Sequence, residues 1–370
     1  MSNRASILKQ QFLQSVALPW KELLPDFKVQ ELLANENVRY YSSVYTPIVT
    51  LWAMVSQVLS PDKSLSQAVK RMGIWLSAAG VKAPSSDTGA YSKARQRLPE
   101  RLVQQLVPFV AHELEKQVPI EQQWCGRRVR VLDGTTVLMS DTTANQGEYP
   151  QHSNQKPGCG FPIAKMVVLF SLLTGAVVFA GIDSLATSEI VMSRLLYANL
   201  LPDDVILADR AYGNYLDLVL VKQQGADAVF RKNHWRKTDF RRGKKLGIGD
   251  HKVVWDKPKH CPEHMINKDF EALPSHFMVR EVCLRIQRRG FRSQRIIVVT
   301  TLLDAQRYTV QKLTLLYGLR WSGAEVNLRY LKTTLKMEML TAKTPAMVRK
   351  EIWTHLLAYT LLRTIMWQAV

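Results

Sequence analysis

The sequence predicts an α/β chain with a helical N-terminal region and a β-rich insertion, on three observations. Residues 1–122 place apolar side chains at helical spacing, strand-like runs alternate with helical stretches from Arg127 onward, and a charged segment at 232–294 interrupts that alternation. With 370 residues, 46% of them hydrophobic, the chain can bury a large core divided into two or three units.

In the N-terminal region apolar residues recur every three or four positions at 31–59, 65–79 and 102–115, punctuated by Pro61 and Pro84. Asp87 reads as the N-cap of the segment AYSKARQRL, whose Lys93, Arg95 and Arg97 make a basic stripe. From Arg127 the pattern changes. RVRVLDGTTVLM alternates with period two, and KMVVLFSLLTG and AVVFAGID are two further strands about a Thr-Gly turn. A helix is predicted at 188–198, a short apolar strand ending at Asp209 in VILADRAYGNY, a helix at 216–224 and a strand at 227–231. After the insertion RIIVVTTLL returns to a strand, and helices at 310–319, 325–337 and 346–367 close the chain. The expected units are 1–122, 123–231, 232–294 and 295–370, the second and fourth forming one sheet with functional groups at strand ends.

Charge points to the class of partner. Fifty Lys and Arg against 31 Asp and Glu give a formal charge of +19, which favours a polyanion because basic side chains release counterions from a phosphate backbone. No run approaches the roughly 18 apolar residues of a spanning helix, and the start MSNRASILKQQFLQ lacks the apolar stretch of a signal peptide. Cys125, Cys159, Cys261 and Cys283 are scattered, so a disulfide framework is not expected and a reducing cytoplasm fits. Basic charge concentrates at 231–252, where nine Lys and Arg face two Asp, with Trp235, Phe240 and then Trp255 nearby. A second cluster, Arg285, Arg288, Arg289, Arg292 and Arg295, flanks Gly290. Such runs are either solvated surface or nucleic-acid contacts.

Three carboxylates carry the chemistry. Asp133 and Asp209 are expected at the ends of strands, with Gly134 letting the backbone come close to whatever Asp133 binds. Glu325 is expected to begin a helix, with Arg329 and Lys332 along the same face. Hard cations such as Mg²⁺ take oxygen ligands and keep positions open for phosphate and water. Two such ions about 3.5–4 Å apart can serve both oxygens of an in-line phosphoryl displacement. Each acid taken singly has a plainer use in a turn or helix cap.

Read in order, LDGTTVLMSDTTANQGEYPQHSNQKPGCGFP, LADRAYGNY and LYGLRWSGAEVNLRYLKTTL, with SSDTGAYSKARQRLPE before them, resemble the DDE transposases of bacterial insertion sequences. The branch is the one marked by a Tyr, Arg, Glu, Lys signature, and the likeness runs from about Ser64 onward. The resemblance implies a ribonuclease H-like catalytic core with a β-rich insertion between the second Asp and the Glu. It implies a catalytic, metal-holding triad of Asp133, Asp209 and Glu325, two Mg²⁺ ions with Mn²⁺ as a substitute, and a signature of Tyr317, Arg320, Glu325 and Lys332. It further implies a partner of double-stranded DNA, recognition of terminal inverted repeats by the N-terminal helices, a homodimer pairing two ends, and residence on the bacterial nucleoid. One departure stands out: the family has three residues between its Arg and Glu, whereas here 321–324 make four.

Other residues offer further candidates. In related transposases a Trp of the insertion captures a flipped base; Trp255 is the preferred candidate here and Trp235 the second, although either would serve equally as core. Arg210, Arg241, Arg242, Lys244 and Lys245 are candidate phosphate contacts. His260, Cys261 and His264 make half of a zinc set without a visible remainder. Asp141, Asp183 and Glu189 are additional acids with turn or cap roles open to them, and none belongs to the implied triad. The rival functions are a nuclease on the same core without strand transfer, and a DNA-binding regulator.

Overall fold

The computed structural model describes residues 23–36, 44–78, 80, 84–262, 265–286 and 294–369. His264 and the arginines at 288, 289 and 292 therefore lie outside the described residues.

Five helices come first: α1 (Asp26–Ala34), α2 (Pro47–Leu59), α3 (Leu65–Ala78), α4 (Gly89–Arg97) and α5 (Glu100–Lys116). Helix α2 starts where the Thr46 hydroxyl accepts from the Val49 amide with Pro47 in the first turn, and it is buried on every side from Val49 to Leu59. Asp87 stands just outside α4 and accepts from the Gly89 amide, while Thr88 holds the cap position. These helices share one apolar core with the C-terminal helix α11 (Pro345–Gln368) and with one face of β2 (Ile163–Ser171), so they pack directly on the sheet.

That sheet has ten strands. Besides β2 they are β1 (Val129–Met139), β3 (Val177–Ser184), β4 (Val205–Ala208), β5 (Asp227–Arg231), β6 (Lys244–Gly247), β7 (Asp250–Asp256), β8 (His276–Ile286), β9 (Gln294–Thr300) and β10 (Met339–Leu340). The order is β3-β2-β1-β4-β5-β9-β8-β7-β6, with β10 beside the far end of β1. Strands β1 to β3 are antiparallel, β4 and β5 run parallel to β1, and β9, β8, β7 and β6 follow antiparallel. The strands of the charged segment at 232–294 thus extend the same sheet. Helices α7 (Glu189–Tyr197) and α8 (Tyr215–Gln223) cover one face; α10 (Val310–Arg329) and the N- and C-terminal helices cover the other. Two short helices, α6 (Thr143–Glu148) and α9 (Asn267–Glu271), lie in loops.

Two expectations need correction. Asp133 is not at a strand end: it is the fifth of eleven residues in β1. What ends nearby is the pairing with β4, whose last partners are Val131 and Leu207. The predicted break between helices at 319 and 325 is also absent, because α10 runs unbroken through 321–324 and passes into a π-helical turn at Tyr330–Thr334. A single glycine costs a helix only about 1 kcal/mol relative to alanine, and Gly323 repays it by close packing. A Cβ there would stand 2.6 Å from Leu172 Cδ1 and 3.1 Å from Val131 Cγ2.

Buried charge ties the extension to the segment that leads into α10. Arg280 of β8, fully buried, donates through Nε and Nη2 to both Asp250 oxygens at 2.8 and 2.6 Å, and through Nη1 to the Tyr308 carbonyl. Removing one member of such a pair strands the other charge, at a cost of about 3–5 kcal/mol. Arg280→Leu should lower unfolding free energy by that amount in urea titrations; a loss below about 1 kcal/mol would show that Asp250 finds water or another cation.

Candidate active site

The site begins with a missing neighbour. Along one side, β1 pairs with β4 through Val131 and with β10 from Leu138, so residues 132–137 have a strand partner, β2, on the other side only. Strand β4 stops at Ala208 and Asp209 follows at once. Asp133 and Asp209 each lie two residues beyond the last paired couple, Val131 and Leu207, and side chains two apart in a strand share a face. Both therefore project toward α10, into a notch where the two strands part.

The notch is half-buried and short of positive charge. Burial, with smaller contributions from the Glu189 and Asp209 carboxylates, pushes the Asp133 carboxyl up to about 6, against the pull of the Arg320 guanidinium and the Gly134 amide. That amide donates to Asp133 Oδ1 at 3.0 Å, and the Ala211 amide donates to Asp209 Oδ1 at 2.7 Å. Helix α10 contributes Tyr317 and Arg320. The Tyr317 hydroxyl donates to the Ala208 carbonyl at 3.3 Å, and burial pushes its pKa up to about 12. Arg320 is 7% exposed, packs over the rings of Tyr317 and Trp321, and has an Nε with no hydrogen-bond partner.

Glu325 does not join them. It is exposed on α10 and makes no hydrogen bond or ion pair among the described residues. The position with three residues after Arg320 is Ala324, which is fully buried in the core facing the sheet. An α-helix turns about 100° per residue, so the extra residue carries Glu325 that far around from the sheet-facing side. Lys332 falls in the π-helical turn, half-buried. For a divalent cation, then, the two aspartates lie as oxygen donors on one face of an open edge, while Glu325 stands exposed on α10 without a hydrogen bond to either. Among the described residues no three His, Cys, Asp or Glu side chains converge as a ready-made metal set, and His260 and Cys261 gain no third partner.

Of the two tryptophans, Trp255 is excluded from base contact by its place: it is 2% exposed, donates to Glu281 Oε1 at 2.9 Å, and lies under the Arg236 guanidinium at 4.4 Å. Trp235 is 82% exposed beside His234. Arg210, Arg241, Arg242, Lys244 and Lys245 are all exposed, the last two on the edge strand β6. Asp239 pairs with Arg241 at 2.9 Å and partly offsets that patch.

Two aspartates backed by a buried arginine, in a chain of charge +19, are the kind of groups that suit a phosphodiester partner. The chain belongs to the DDE transposases: the family described as "Transposase DDE domain" matches residues 124–361. It is 27% identical over 320 residues to transposase InsG for insertion sequence element IS4 of Escherichia coli (strain K12), covering 85% of this chain and 68% of that protein. Among solved structures it aligns with a piggyBac transposase synaptic complex with hairpin DNA at TM-score 0.45 and 7% identity, over 98% of this chain and 74% of that one. It aligns with a Mos1 transposase paired-end complex at TM-score 0.19 and 11% identity, over 61% and 76% respectively. The chain is an insertion-sequence transposase, an enzyme of DNA cleavage and strand transfer. No helix among the described residues is long and apolar enough to cross a membrane.

The raised Asp133 pKa has a stability consequence. The folded chain holds this proton more tightly than the unfolded chain, whose carboxyl titrates near the ordinary 3.8, so stability falls as pH rises from about 4 to about 6. Two pKa units bound the fall at about 3 kcal/mol. In metal-free protein Asp133→Asn should remove this fall and unfold at higher urea than wild type at pH 8; an unchanged pH profile would assign it to another group.

Proposed function

We propose that this transposase binds the terminal inverted repeats of its element, cuts the transposon ends and joins them to target DNA at the notch between β1 and β4. The observation that carries this is the in-phase pair Asp133 and Asp209 at the one stretch of β1 left without a neighbour on that side. We read the order β3-β2-β1-β4-β5, antiparallel then parallel, as a ribonuclease H-like core spanning 123–231 and 295–370, with 232–294 inserted and 1–122 serving the inverted repeats.

Asp133 and Asp209 would hold divalent ions, two Mg²⁺ with Mn²⁺ as a substitute, as the family's acidic residues imply. Such ions supply activation of the attacking oxygen and charge stabilisation at the leaving oxygen. The chain's own groups do the remaining work. Arg320, buried with Nε unpartnered, offers a rigid donor to a phosphate oxygen. Tyr317, hydrogen-bonded to the Ala208 carbonyl and ring-stacked with Arg320, keeps that guanidinium at the base of the notch. Arg210 and Lys332 approach the backbone as point charges. The exposed patch of Arg241, Arg242, Lys244 and Lys245 grips the duplex near the cut, with Trp235 placed to stack on a displaced base. A homodimer brings two ends together, and a freed 3′-OH can attack the opposite strand to close a hairpin before it attacks target DNA.

Incubation of the protein with Mg²⁺, labelled element ends and a target plasmid tests this. Asp133→Asn and Asp209→Ala should each lower cleavage at least about a hundredfold, the range for losing a main electrostatic stabiliser of the transition state. Full cleavage by Asp209→Ala would refute the site, and cleavage without joining would identify a nuclease. Replacing Arg241, Arg242, Lys244 and Lys245 one at a time by Ala should weaken DNA binding for any sequence and flatten the salt dependence, each lowering the log–log slope by about 1. An unchanged slope would remove that residue from the interface.

A further inference from the structure

We propose that Glu189, the first residue of α7, is a positioning residue for this enzyme: braced by Tyr212 on the sheet face opposite the aspartates, it holds Asp133 and Asp209 at a fixed separation. This rests on the reading of the notch as the place of cleavage, and it gives Glu189 no contact with cation or DNA.

The need for a brace follows from the notch itself. The ladder that keeps neighbouring strands about 4.8 Å apart ends between β1 and β4 at Val131 and Leu207, two residues short of both aspartates. Something else has to set their spacing. Side chains alternate along a strand, so Asp133 faces α10 and position 134 faces α7. There the Glu189 carboxylate lies directly on Gly134: a Cβ at 134 would stand 2.5 and 2.6 Å from its two oxygens, inside the 3.0 Å that real Cβ atoms keep. The glycine therefore makes room on the face away from Asp133. The hydroxyl of Tyr212, buried three residues past Asp209, donates to Glu189 Oε1. One side chain thus touches both the residue after Asp133 and the loop after Asp209, across the gap that the backbone leaves open.

The brace has footings of its own. Lys165 of β2, opposite Thr136 of β1, donates through Nζ to the Leu185 carbonyl at 2.9 Å and to the Thr187 carbonyl, which ties the segment before α7 to the sheet. The Tyr212 ring packs by Phe230 of β5 in the core on that face. Free backbone amides at the start of a helix favour a negative side chain, so Glu189 keeps its charge toward the Tyr212 hydroxyl. The plainer role is that of a carboxylate that merely satisfies a buried phenol. The two roles separate because only positioning alters the chemical step while leaving DNA affinity alone. A displacement of about 1 Å in a reacting group can cost roughly a hundredfold in rate, so the brace has only a small drift to prevent.

The test compares kcat and KM for cleavage of labelled element ends by wild type, Glu189→Ala, Glu189→Gln, Tyr212→Phe and the double variant Glu189→Ala with Tyr212→Phe, at a temperature where melting shows each one folded. Glu189→Ala should lower kcat about ten- to a hundredfold with KM for DNA within about twofold. Glu189→Gln, whose amide oxygen still accepts from Tyr212, should stay within about threefold of wild type. Tyr212→Phe should lower kcat in the same sense, and the double variant should lose no more than Glu189→Ala alone, as partners in one contact do. Tyr212→Phe removes one hydroxyl and keeps the ring, so it carries the test if Glu189→Ala does not fold. Hydrogen exchange in the metal-free chain gives a readout without catalysis: Glu189→Ala should speed exchange in both 129–139 and 205–213. A kcat within about twofold of wild type in Glu189→Ala, equal losses in Glu189→Gln and Glu189→Ala, losses that multiply in the double variant, or faster exchange in one segment alone overturns the inference. Full cleavage by Asp133→Asn in the same assay overturns instead the reading of the notch on which it rests.

Discussion

The organising constraint is the interruption of pairing along one side of β1. A strand inside a sheet spends its amides and carbonyls on both neighbours and packs its side chains between layers. From 132 to 137 β1 has lost the neighbour on one side, so a carboxylate can stand there half-solvated inside an otherwise dry sheet. Strand β4 makes the gap by being only four residues long, and β10 closes it again with two pairs. The Gly134 amide, freed from any ladder on that side, turns to Asp133. Asp209 arrives beside it because the parallel register makes both residues the next in phase.

This geometry sets the electrostatics. Asp133 and Asp209 share the notch, and the nearby cation, Arg320, is embedded in α10 with its Nε unpartnered. Burial raises the proton affinity of Asp133, and repulsion from Glu189 and Asp209 adds a smaller push in the same direction.

The strands and helices between Arg127 and Arg231 were legible because each has one clear period and a turn on either side; α7, α8 and β5 lie where that pattern puts them. The strand positions of Asp133 and Asp209 were only half legible, since a sequence cannot say where a neighbouring strand stops. The orientation of Glu325 was hidden for a related reason. The residues at 321–324 look like a break, yet nothing in them outweighs the packing of Gly323 on Val131 and Leu172, and once the helix continues the extra residue becomes a rotation. Trp255 looked available because a tryptophan among charges reads the same whether it faces in or out; its burial depends on Glu281, on a strand it meets only after folding. Glu189 carries one signal in the sequence, an acid opening a helix, and nothing there says that it lies against Gly134.

The π-helical turn at Tyr330–Thr334 has a bearing on how this chain can change over time. A π turn closes its hydrogen bond over one more residue than an α turn, so it stores slack at the junction between α10 and β10. Upstream, residue number is locked to rotation, and any gain or loss swings the sheet-facing side chains. At the junction a residue can be taken up or released while β10 stays seated on β1. Length variation in α10 is thus filtered by position: the junction acts as an expansion joint, and the helix before it as a rigid key.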